Sequence, residues 1–141
     1  MNILVSHCFL GEPCRYDGAS RLDRQIIELH RAGHNLIPVC PEILGGLETP
    51  RSPAEIQPDG RVVTQDGKDV TAAYQAGAER AVALAREHGC TVAILKSRSP
   101  SCGCREIYDG TFTHTLKPGW GVAARLLDEA GLEVMDEEQL Q

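Results

Sequence analysis

The residues best able to do chemistry in this 141-residue chain are its six cysteines, Cys8, Cys14, Cys40, Cys90, Cys102 and Cys104. In a reducing compartment, thiols at this density more often bind metal or react than form disulfides. The close pair is Cys102-Gly103-Cys104, so the twin CxxC knuckles of a zinc ribbon are absent. A site that uses several of these thiols must therefore be assembled by the fold. Glu42 follows Cys40-Pro41, and Ser99 and Ser101 bracket Pro100 just before Cys102. A carboxylate at such a rim suits acid or base work, and a hydroxyl there can bond a sulfur or a substrate oxygen. His7 and His114 are further candidates for a ligand or proton carrier. His30, His34 and His88 fall at helix ends, where an imidazolium favours the helix dipole.

The elements that must position these residues follow from periodicity. NILVS (2–6), NLIPV (35–39) and TVAIL (91–95) are short apolar runs of buried-strand type, and Leu132–Met135 predicts a last strand before an acidic tail. Leu22, Ile26 and Leu29 recur at helical spacing before Gly33. Val70, Tyr74, Gly77, Ala78, Ala81, Val82 and Ala85 mark one face of a longer helix that stops at Gly89. Val122, Ala123, Leu126, Leu127 and Ala130 define a third helix before Gly131. Ile43–Gly60, rich in proline and glycine, and Lys96–Pro118 read as long loops, with a small strand pair around Arg61–Thr64.

Strands alternating with helices imply an α/β fold: one doubly wound, mainly parallel sheet flanked by helices, as a single domain over 1–141. Ligands of such sheets bind beyond the carboxyl ends of the strands. Cys8 follows the first strand, Cys40 and Glu42 the second, and Ser99, Ser101, Cys102 and Cys104 the third. Three thiolates on one rim can hold a tetrahedral zinc with an open position, a copper ion, or a cubane iron–sulfur cluster with one iron free of protein. Cys90, entering a strand, reads as a packing residue. Two other classes stay open. One is a non-catalytic carrier whose site Cys8, Cys40, Cys102 and Cys104 close; the other is a metal-free thiol enzyme with Cys102 as nucleophile.

Composition narrows the partners. The net charge is −6 and no basic run occurs, so a nucleic-acid-tracking surface is a poor match. No apolar run approaches the ~20 residues of a membrane span, and the first residues lack a signal peptide's basic segment. A soluble cytoplasmic protein without a membrane partner is expected.

The segments VSHCFLGEPCRYDG, PVCPEILGGLETPRSPAEI, GKDVT and LKSRSPSCGCREIYDGTF, in this order over most of the chain, resemble the bacterial thiouracil desulfidase family. The resemblance implies an α/β domain with an oxygen-sensitive [4Fe-4S] cluster on three cysteines, which fall on Cys8, Cys40 and Cys102. It implies Glu42 and Ser99 as catalytic residues and a small thiolated nucleobase such as 4-thiouracil as substrate. Cys14 also matches the family and is an alternative ligand to Cys8. His7 and Phe9 depart from the usual small and aliphatic residues and are expected to reshape the pocket, and Cys104 is an extra thiol.

Overall fold

The computed structural model describes residues 1–10 and 24–140. Cys14 and Leu22 lie outside the described residues. Strand β1 (Asn2–Ser6) runs into a 3-10 turn (His7–Leu10), followed by α1 (Arg24–Arg31) and β2 (Asn35–Val39). Next come a short α2 (Pro41–Leu44), β3 (Ala54–Ile56), β4 (Val62–Thr64), the long α3 (Thr71–Glu87) and β5 (Val92–Leu95). The chain continues through β6 (Glu106–Tyr108), β7 (Leu116–Pro118), α4 (Val122–Glu129), β8 (Glu133–Asp136) and a terminal 3-10 turn (Glu137–Leu140).

Four strands form the central sheet in the order β2-β1-β5-β8, and every pairing in it is parallel. Pro38, inside β2, pairs opposite Val5. It is tolerated because β2 is an edge strand, where one side of the backbone needs no ladder partner. The alternation of β1 sends Leu4 to one face and Ile3 and Val5 to the other. On the Leu4 side, Ala81, Val82 and Ala85 of α3 and Ala124 and Leu127 of α4 pack on the sheet. On the opposite side, Ile26 of α1 packs with Phe9 and Ile94. This is the expected three-layer arrangement, and Tyr74, Gly77, Ala78, Ala81, Val82 and Ala85 are all buried on α3 as the periodicity requires. Chain order reverses across β1, with β2 on one side and β5 on the other, which places the crevice at their carboxyl ends.

Both long loops contain more structure than their composition reveals. Ile43–Gly60 holds the end of α2 and strand β3, which pairs antiparallel with β4; Lys96–Pro118 holds the β6–β7 hairpin. These elements have three or four residues each, too short to display a period. The acidic tail is also corrected. Asp136 and Glu137 are buried, because they answer cations on the loop after β5.

Helix α2 seats against α3 through Gly77. A Cβ on Gly77 would collide with the carbonyl of Pro41, and one on Gly45 with the carbonyl of Ala73. Both obstacles are backbone, which cannot swing aside. Gly77→Ala is therefore expected to cost about 1–3 kcal/mol, the range of core overpacking. A denaturant titration of the variant against the natural chain checks it, with an unchanged midpoint the contrary result.

Candidate active site

One cavity of about 280 Å³ opens at the carboxyl ends of β1, β2 and β5, and Cys8, Cys40 and Cys102 all line it. It falls just below the ~300–1,000 Å³ typical of small-molecule sites. Cys8 sits in the 3-10 turn that continues β1, and Cys40 is the extended residue capping α2, whose first position is Pro41. Cys102 stands on the loop after β5, and hydrogen bonds define the shape of that loop. Ser99 Oγ accepts the backbone N–H of Ser101 and of Cys102, both at 3.1 Å. The carbonyls of Pro100 and Ser101 accept the N–H groups of Val122 and Ala124 at 2.9 Å. Helix α4 has no side-chain cap of its own, so the cysteine loop satisfies its otherwise orphaned amides. The loop and the helix fix one another.

Glu42, in the first turn of α2, points into the same cavity. Its Oε2 pairs with the Arg51 guanidinium, and its Oε1 accepts the Ser101 hydroxyl at 3.1 Å. The two side chains of the ion pair are only 12% and 11% exposed. Tyr74 of α3 stands beside them. Burial, reinforced by the Glu42 carboxylate, holds its phenol well above the ordinary tyrosine range. Ser99 Oγ lies 3.1 Å from Ser101 Oγ. Because Ser99 already accepts two amides, its own proton is free to point at Ser101. The result is a chain of hydroxyls, Ser99 to Ser101 to Glu42, in which Ser101 touches the carboxylate and Ser99 is one step behind.

Burial pushes the Cys102 thiol up to about 12, although the hydroxyls of Ser101 and Ser6 act against it. Both donate to Cys102 Sγ at 3.6 Å. Burial of this kind favours the protonated thiol over the nucleophilic thiolate. The thiol becomes a thiolate when cationic metal displaces its proton.

Cys104 takes another direction. Its Sγ lies 3.8 Å from Asp136 and 3.7 Å from Gln139, and burial followed by Asp136 raises it to about 11. It does not line the cavity, so a site closed by Cys8, Cys40, Cys102 and Cys104 is not formed.

Among the described residues, no three His, Cys, Asp or Glu side chains gather around a point for one metal ion. A lone tetrahedral ion needs its sulfurs about 2.3 Å away, whereas a cubane accepts each thiolate at a different corner and so suits wider spacing. Three thiols around one cavity fit the larger group.

Of the remaining candidates, His7 and His114 line the cavity, and His114 meets Tyr108 edge-on with ring centroids 5.9 Å apart. Phe9 does not reshape the pocket. It is fully buried in the core beside α1. Cys90 is buried in the core, as expected of a packing residue. Sequence reasoning missed Arg51, Ser6 and Lys96, which all line the cavity. It also missed Glu137, which receives Lys96 Nζ at 2.9 Å and the Ser97 amide at 2.8 Å. Arg51 had one available signal, a lone cation between Pro50 and Pro53 in the segment after Glu42.

The parallel α/β sheet thus brings three thiols and a paired carboxylate to one cavity at its carboxyl edge, a donor set of the kind that thiolate-bound metal groups use. The chain belongs to the 2-thiouracil desulfurase family, which it matches over residues 3–139. It is 42% identical over 150 residues to the uncharacterised protein YbbK of Bacillus subtilis strain 168, covering 98% of this chain and 97% of that one. A solved structure described as the [4Fe-4S]-dependent thiouracil desulfidase TudS superposes with a TM-score of 0.91 at 44% identity. That match covers 99% of this chain and 92% of the other.

The Glu42–Arg51 pair yields a test. Arg51→Met leaves a buried carboxylate without its cation and is expected to cost about 3–5 kcal/mol, while the double variant with Glu42→Gln recovers much of the loss. Denaturant titrations of the four proteins in the cycle check it, and additive losses would show the pair to be uncoupled.

Proposed function

We propose that the protein is a [4Fe-4S]-dependent desulfidase that replaces the sulfur of a thiolated nucleobase such as 4-thiouracil by oxygen, giving uracil and sulfide. The observation that carries this reading is the meeting of Cys8, Cys40 and Cys102 with the Glu42 carboxylate around one small cavity. Family membership and the likeness to TudS support it.

In this reading Cys8, Cys40 and Cys102 hold the cluster. When bound, it supplies a Lewis-acidic iron without a protein ligand for the thiocarbonyl sulfur. The reaction is a hydrolysis. A water oxygen bonds to the ring carbon, the carbon–sulfur bond breaks, and no external oxidant or reductant is required. Glu42 takes the proton of the attacking water, and Arg51 holds the carboxylate towards the cavity. The Ser101 hydroxyl, bonded to Glu42 Oε1 at 3.1 Å, and Ser99 behind it give that proton a path towards the departing sulfur. Pro41, Pro53 and Ala54 give the cavity apolar wall against which a nucleobase ring can pack.

Anaerobic reconstitution with iron and sulfide is expected to give four irons per chain and sulfide release from 4-thiouracil. Serine at position 8, 40 or 102 should abolish cluster loading, whereas Cys104→Ser should leave iron content and turnover unchanged. Stoichiometric zinc without iron would overturn the reading. Glu42→Gln should retain the cluster absorption and lose about 100-fold or more in turnover, the scale of general acid–base catalysis. Loss of the cluster in that variant would instead make Glu42 structural.

A further inference from the structure

Ser6 is the last residue of β1 and is 3% exposed. Strand alternation places it on the face of Leu4, whose core cluster also contains Cys102. The β1–β5 register pairs Val5 with Ile94, so the two strands diverge just beyond. There Ser6 Oγ accepts the backbone N–H of Lys96 at 2.9 Å, a side chain standing in for the next rung of the ladder. That bond fixes the orientation of the hydroxyl. Its acceptor side is occupied by Lys96, and the acceptor its proton reaches among the described residues is Cys102 Sγ at 3.6 Å. Ser101 also lies 3.6 Å from that sulfur, but its single proton is contested by Glu42 Oε1 at 3.1 Å. Ser6 is therefore the dedicated donor to Cys102, and Ser101 is free to serve the carboxylate.

We infer that Ser6 is a positioning residue for the desulfidase reaction, whose hydroxyl orients Cys102 and withdraws electron density from its sulfur once that sulfur is a thiolate. This rests on the reading of Cys102 as a cluster ligand. A hydrogen bond to a ligating sulfur stabilises the more electron-rich state of a cluster and raises its reduction potential. The same withdrawal leaves the irons more electrophilic, which favours polarisation of a thiocarbonyl. The fold supplies the donor without a mobile part, since the Lys96 amide that fixes Ser6 directly follows β5, the strand from which the Cys102 loop departs.

The test is the midpoint potential of the anaerobically reconstituted protein, with iron content and thiouracil turnover measured on the same samples. Ser6→Ala is expected to keep four irons, shift the midpoint to a more negative value and lower kcat by about tenfold, the lower end of losses from groups that support metal ligands. Ser6→Thr retains the hydroxyl and should restore both values. If Ser6→Ala folds by circular dichroism but does not retain iron while Ser6→Thr does, the need for the hydroxyl is equally supported. An unchanged midpoint in a fully loaded Ser6→Ala protein, or the same defect in both variants, would overturn the inference and leave the ligand assignment standing. Failure of the natural chain to bind an iron–sulfur cluster would overturn both.

Discussion

A sulfur without access to water can carry negative charge only if cations or hydrogen-bond donors surround it, and Cys102 is such a sulfur. Burial pushes its thiol up to about 12, and much of the site answers that cost. Ser6 directs its hydroxyl at it, and the Ser101 hydroxyl stands 3.6 Å away. The loop that carries it is tied to the amides of α4, so the sulfur cannot drift towards solvent. A metal group held by this sulfur would supply the remaining positive charge by taking the place of the thiol proton.

The second charge in the cavity is handled differently. Glu42 is buried with its own permanent cation, Arg51, and so is ready before any cofactor or substrate arrives. The pair depends on a close contact of helices. Pro41 and Glu42 open α2, and the approach of α2 to α3 tolerates no side chain on Gly77. Tyr74, one turn earlier on α3, closes the cavity from the same side. Glu42 is thus placed by helix packing and the thiols by strand ends, two supports that meet at one edge of the sheet.

That Cys8, Cys40 and Cys102 share one cavity was legible because each follows an apolar run short enough to be a parallel strand, and parallel strands present their carboxyl ends together. Helix α3 was legible from its period. The small strand pair around Arg61–Thr64 was legible in part, as β4, but helix α2 and the β6–β7 hairpin were not, since three or four residues show no periodicity. Arg51 and Ser6 were hidden for another reason. An arginine in a proline-rich loop and a serine closing a strand are ordinary in sequence, and their roles arise only when tertiary approach puts them against Glu42 and Cys102.

The C-terminal residues carry this furthest. As sequence, DEEQ is an acidic tail after the last apolar run. In the fold, Asp136 receives Arg105 Nε at 2.8 Å, and Glu137 gathers Lys96 and the Ser97 amide, all on the segment between β5 and β6 that bears Cys102. Charge that looks like surplus when counted along the chain is therefore partly internal. It clamps both ends of the ligand loop, with Ser97 on one side of Cys102 and Arg105 on the other. A loop clamped at both ends, tied to α4 in the middle and bonded through Lys96 to the Ser6 hydroxyl has little freedom to follow its ligand. The geometry of the Cys102 loop is accordingly set by folding.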